Sequence, residues 1–164
     1  MSEIFLFYLF GGLSVLMTLL MIFQTNPVAS AIYLVGAFFG LAALYVLLSA
    51  PFVAVLQVLV YAGAIMVLFT FVIMLLNIRK EELVYDRVTW RKTAVVLTAL
   101  FFAGFLIWHF LKIPVVPFAP VEEGFGEVHK VGRLMFSKYL IPFELTSVLL
   151  LVAIIGALVL GKKE

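Results

Sequence analysis

FVAVLQVLVYAGAIMVLFTFVIMLL, running from Phe52 to Leu76, decides the fold. It carries no charge and is apolar over most of its length. A bilayer core about 30 Å thick takes roughly 20 helical residues, so the stretch is long enough to cross with some tilt or bend. Outward from it the same character continues. From Ile4 to Ile78 there is no Asp, Glu, Lys or Arg, a run no water-exposed fold could solvate and one too long for a single span. Helix-ending signals divide it. The turn Gln24-Thr25-Asn26-Pro27 closes a first span over 4–23, and Ser49-Ala50-Pro51 closes a second over 28–48. The third covers 52–76, the fourth 93–111 ends at Lys112 and Pro114, and the fifth, 142–160, opens on Pro142, which suits a first helical turn. In hydrocarbon the backbone must satisfy its own hydrogen bonds, and the in–out alternation of a barrel strand is missing. The expected fold is all-α: a polytopic bundle of five transmembrane helices.

Composition agrees. Of 164 residues, 66% are hydrophobic and 12% charged, where a soluble domain carries roughly a quarter charged. There is no cysteine, which excludes disulfides, zinc–thiolate sites and cysteine-ligated iron–sulfur clusters. Met1-Ser2-Glu3 is no basic n-region and the apolar run after it is too long for a signal peptide, so the first span is expected to remain. A net charge of +2, spread through loops, argues against a nucleic-acid partner; lipid is the solvent. Arg79, Lys80, Arg87, Arg91 and Lys92, with Lys162 and Lys163, outnumber Lys112, Lys130, Arg133 and Lys138. The positive-inside rule therefore sets the amino terminus outside and the carboxyl terminus in the cytoplasm. Residues 79–92 become a cytoplasmic charged loop, 112–141 a long extracytoplasmic loop lying on the surface or against a partner, and 1–164 a single membrane domain. No internal repeat is visible, and an odd helix count does not suit two inverted halves of a transporter.

Ionisable groups in mid-membrane are costly and mark ion paths, yet the span interiors hold none. Glu3 and Glu144 sit at helix starts, where the amino-terminal dipole and interfacial water stabilise a carboxylate; a buried polar path through Glu144 is the sharper alternative. His109 and His129 cannot make a two-histidine haem site, and His109 beside Trp108 reads as part of an interfacial aromatic belt. No nucleophile, base and orienting group can be assembled, so no catalytic residue, cofactor site or metal site is assigned. What the spans do offer is packing. Gly36 and Gly40 share one helix face, as do Ala153 and Ala157 beside Gly156, and such faces admit a neighbouring backbone from this chain or another. The third span is polar on two sides: Gln57 and Tyr61 are four apart, and Gly63, Thr70 and Asn77 recur every seven residues. The plain reading is hydrogen bonding to neighbouring helices. The sharper one is that Gly63 lets the helix bend or widen by one residue, as π-bulges do.

Val60-Tyr-Ala-Gly-Ala-Ile-Met-Val-Leu-Phe69, with Phe71-Val72 and Met74-Leu-Leu-Asn77, resembles the J-type membrane subunit family of respiratory complex I, the proton-translocating NADH:quinone oxidoreductase. Thr25-Asn-Pro-Val28, Tyr33-Leu34, Val131-Gly132, Tyr139, Glu144-Leu145, Ser147 and Leu149-Leu-Leu151 resemble it too, so the likeness covers most of the chain outside its charged loops. The resemblance implies a subunit of a bacterial-type inner membrane that binds no cofactor itself, with FMN, iron–sulfur clusters and quinone carried by other subunits. It implies a place between the quinone-site subunit and the antiporter-like subunits. In that family the third helix can carry a π-bulge around positions matching Tyr61 to Met66, linked to opening a proton path. Tyr61, Gly63, Ala64 and Met66 become coupling candidates, with Val67 and Phe69 as wall residues. Many members carry a carboxylate where this chain has Gln57, and an amide cannot ionise, so hydrogen bonding is the role left there. The alternatives are a small membrane subunit of a multi-subunit cation/proton antiporter or membrane-bound hydrogenase, or a passive scaffold.

Overall fold

A computed structural model describes residues 2–76, 90–113 and 122–162. Asn77, residues 79–89 of the charged loop, residues 114–121 and Lys163 lie outside the described residues. The chain forms two compact units, Leu76–Val121 and the remainder. Every regular element described is helical, and five helices are long and apolar enough to cross a membrane.

In the larger unit, α1 (Ser2–Phe23) is followed by α2 (Pro27–Leu47). The turn between them is built by side chains. Gln24 Oε1 accepts the N–H of Thr25 at 3.0 Å, and Asn26 Oδ1 accepts those of Val28 at 3.0 Å and Ala29 at 3.4 Å. Asn26 is thus the N-cap and Pro27 the first helical residue, where its missing N–H is no loss. At the other end the N–H of Ala50 donates to Tyr45 O (2.9 Å) and that of Ser49 to Val46 O (3.1 Å). This is a Schellman closure with Ser49 in the left-handed position, φ 57°, where glycine is usual. Pro51 then opens α3 (Pro51–Leu75).

The core between α1, α2 and α3 is made of small residues: Ala31, Ala37, Gly40, Ala42, Ala54 and Ala62, with Ser14, Gln57 and Met66. Small side chains let helix backbones approach closely where lipid offers no hydrophobic drive. Gly40 faces α1 so closely that a Cβ there would run into Ser14 Oγ and stand 3.2 Å from Phe10 O; at Gly36 it would meet Met17 Sδ at 3.2 Å. Ser14 Oγ donates to Ala37 O across the same contact, at 3.4 Å. The small-residue face of α2 is therefore used within this chain.

The expected long loop 112–141 holds a further helix, α5 (Val128–Ser137), which the sequence reading left unassigned. Val131, Gly132 and Met135 are half-buried while His129, Lys130 and Arg133 are exposed, a helical period that short length and flanking turns had hidden. Lys130 Nζ pairs with Glu122 at 3.3 Å and donates to Glu123 O at 2.6 Å. Phe136 meets Phe143 edge to face at 5.0 Å, joining α5 to α6 (Leu140–Gly161). α6 begins two residues before the expected Pro142, so Glu144 falls outside its first turn and the dipole argument for it is withdrawn. Along α6 Ala153 and Ala157 are exposed, and a Cβ on Gly156 would meet nothing within 4 Å. That small-residue face is not used by the described chain.

The smaller unit contains α4 (Trp90–Leu111). Its end is aromatic: Phe105 stacks on His109 at 6.1 Å, and Lys112 Nζ lies 3.8 Å from the Trp108 ring centre. Such amphipathic rings with a cation are what a membrane–water boundary favours.

Candidate functional site

The third span is one continuous rod with three backbone regimes. Pro51–Leu56 is α-helical, Gln57–Ile65 is a π-helix of 9 residues, and Met66–Leu75 is α-helical again. The Met66 N–H is directed at the carbonyls of Gly63 and Tyr61, three and five residues back, where an α-helix would use the one four back. A π turn is rare because its wider loop loses contact across the helix axis, and single-turn examples gather at functional sites. The sequence permits it at Gly63. A Cβ on that residue would stand 3.2 Å from Val58 O, again five residues back, so any other side chain asks that carbonyl to shift by a few tenths of an ångström.

The wide turn also decides which residues face α2. Buried positions on this span are Ala54, Gln57, Ala62 and Met66, so the step from Gln57 to Ala62 is five residues where α-helical spacing gives three or four. Gln57 and Tyr61, four residues apart, differ in burial. Gln57 is 8% exposed and Tyr61 49%. Tyr61 instead lays its ring edge against Phe38 of α2, centroids 5.9 Å apart. Ala64, Val67 and Phe69 are exposed, and Gly63 is half-buried. Phe69 and Ile73 form one wall of an open cleft of about 450 Å³, with Met21, Gln24 and Ser30 opposite. The Thr70 hydroxyl donates to Met66 O of its own helix at 2.7 Å. Glu144 is exposed, and Ser147 donates to its main-chain carbonyl at 2.7 Å.

Among the described residues no ionisable side chain is buried, and no three metal-ligating side chains come together. The site is a distorted helix, with an amide at one end of the distortion and a phenol inside it.

Two features went unread in the sequence. One is the nine-residue length of the π segment, since apolar periodicity carries little signal in a span made mostly of apolar residues. The other is Gly126, which lies in a loop far along the chain and touches the start of α3. Its main-chain oxygen accepts the N–H of Phe52 at 3.2 Å. Glycine-124 and glycine-126 flanking one aromatic residue was the only hint of a tight turn there.

Fold and site together define a multi-pass helical membrane protein, with bare apolar faces on most spans and a π-helical segment in the third. Residues 17–160 match the family model of NADH-ubiquinone/plastoquinone oxidoreductase chain 6, and the chain belongs to that family. Similar proteins include NAD(P)H-quinone oxidoreductase chain 6 of Nostoc, 41% identical over 87% of this chain and 71% of the relative. NADH-quinone oxidoreductase subunit J of Rhodobacter capsulatus is 35% identical over 96% and 80%. Subunit J of Pseudomonas aeruginosa is 35% identical over 98% and 97%, so the two chains match nearly end to end. With bacterial relatives of this kind and five apolar helices, it is a multi-pass protein of the inner-membrane type. The reading as part of an antiporter or hydrogenase is not favoured by these matches.

Proposed function

We propose that this chain is a non-redox membrane-arm subunit of a proton-pumping NADH:quinone oxidoreductase, and that α3 takes part in coupling quinone reduction to proton translocation. The observation that carries this reading is the π-helical segment Gln57–Ile65. Losing one inserted residue from a helix with 3.6 residues per turn rotates everything beyond it by about 100° and shifts it by about 1.5 Å. A nine-residue π segment thus stores a movement large enough to re-aim the exposed Val67 and Phe69 without any covalent step. Tyr61, Gly63, Ala64 and Met66 are its coupling residues. Flavin, iron–sulfur clusters and quinone belong to other subunits, and the quinone-site and antiporter-like subunits are the neighbours we assign. The excess of Lys and Arg puts the amino terminus outside and the carboxyl terminus in the cytoplasm.

Gly63→Leu tests the coupling role. The bulky side chain crowds Val58 O and favours the regular α arrangement. In the assembled complex, NADH oxidation by an artificial acceptor should persist while quinone-linked proton pumping falls. Undiminished pumping per electron would remove the coupling role from α3 and leave a passive membrane subunit.

A further inference from the structure

A helix that changes register must move at one end or the other, and the end that is held decides which. The amino-terminal end of α3 has no side-chain cap: Ala50 occupies the N-cap position and contributes none. Its exposed backbone donor is met from a distance by Gly126, whose carbonyl accepts the Phe52 N–H at 3.2 Å. The approach is closer than any side chain would allow. A Cβ on Gly126 would run into Ser49 O and stand 2.8 Å from Ala50 Cα, and Gly126 has φ +76°, a left-handed backbone. Ser49, its partner in the contact, is itself left-handed at φ 57°. A strained left-handed serine and a left-handed glycine, which adopts that backbone freely, are therefore nested against each other across 77 positions of sequence from Ser49 to Gly126.

The turn bearing Gly126 is braced. Phe125 N–H donates to Glu122 O (3.0 Å), Glu127 N–H to Gly124 O (3.2 Å), and Lys130 ties Glu122 and Glu123 to the first turn of α5. α5 is fastened to α6 through Phe136 and Phe143. By contrast, in Met66–Leu75 only Met66 is buried.

We propose that the turn Gly124–Glu127 anchors the amino-terminal end of α3, with Gly126 as the positioning residue, so that a change in the π segment is delivered to Met66–Leu75. This rests on the coupling role proposed above. Pinned at Phe52, the Pro51–Leu56 segment keeps its place against α2, and the rotation appears in the half that carries Val67, Phe69 and Ile73. Without the anchor, the same register change is dissipated by movement at both ends.

Three variants in the whole complex separate docking from loop folding. Gly126→Ala and Gly126→Asn both add the Cβ that meets Ser49, and asparagine tolerates a positive φ. Gly124→Ala strains the same turn at φ +74°, but its Cβ meets only the Glu127 carboxyl, the far end of a flexible side chain. Expected for both Gly126 variants are faster amide exchange in peptides covering 51–56 and at least a halving of protons pumped per electron, with quinone reduction retained; Gly124→Ala should keep the wild-type ratio. If Gly63→Leu uncouples pumping and the Gly126 variants do not, the coupling role stands and the anchor is overturned. Parallel loss of quinone reduction and pumping would equally overturn it, as a structural defect. Should the Gly126 variants not assemble, exchange in the wild-type complex decides. Between the oxidised state and turnover, peptides over 51–56 should keep their protection while those over 66–75 change, and equal change in both overturns the anchor.

Discussion

α2 and α3 are neighbours of similar apolarity, and they are held in opposite ways. α2 is specified at both ends by its own sequence, with the Asn26 cap and Pro27 at the start and a Schellman closure at Ser49. Along its length Gly36 and Gly40 press onto α1, and the backbone is regular throughout. α3 has no cap of its own, borrows an acceptor from Gly126, and departs from α geometry over nine residues. Hydropathy says both will span; it does not say which will stay rigid. Rigidity comes from close backbone contact and closed ends, and α3 is the span without a cap of its own and with the irregular backbone.

That contrast can be broken by experiment. Gly40→Leu should do the most damage, because the new side chain collides with Ser14 and the Phe10 carbonyl in a contact that cannot widen without parting α1 from α2. Overpacking on the order of 1–3 kcal/mol is expected, read as a lower midpoint in detergent unfolding followed by helical circular dichroism. An unchanged midpoint would mean that the contact is loose.

Gly63→Ala should behave differently. Alanine favours a regular α-helix over glycine by about 1 kcal/mol, and its Cβ would sit 3.2 Å from Val58 O. The variant chain should be no less stable in detergent, yet pump fewer protons per electron. Lower stability with normal pumping would reverse the assignment of the two spans.

Asn26→Ala removes acceptors from two backbone donors and should cost about 1 kcal/mol, visible as a small fall in unfolding midpoint and faster exchange at Val28 and Ala29. The smallest effect belongs to Thr70→Val. Among the described residues its hydroxyl bonds to Met66 of the same helix, so less than about 0.5 kcal/mol should be lost and partner subunits should co-purify as before. A large assembly defect there would reveal a bond from Thr70 to another chain.

Much of the fold was legible because lipid imposes a coarse and strict rule. Uncharged runs of spanning length must be helices, and Asn26-Pro27 and Ser49-Ala50-Pro51 mark real helix ends. Pro142 misled because proline is tolerated throughout the first turn; the helix starts at Leu140 with Pro142 already inside it. The site was legible in part. Gly63 stood out as a position able to distort, and resemblance pointed to the surrounding residues. The unequal burial of Gln57 and Tyr61 was not legible, because which part of this span is covered is set by its contact with α2.

By itself, then, the sequence determined the solvent, the number of spans, their approximate ends and the lack of cysteine chemistry, since all of these depend on composition over a few turns of chain. Tertiary structure decided which small-residue faces are occupied: Gly36 and Gly40 meet α1, whereas Gly156 meets nothing in the described chain. It also decided the register of α3 and the docking of Gly126 on its first turn, because these depend on which backbones approach within a few ångströms, and residues distant along the chain set that distance.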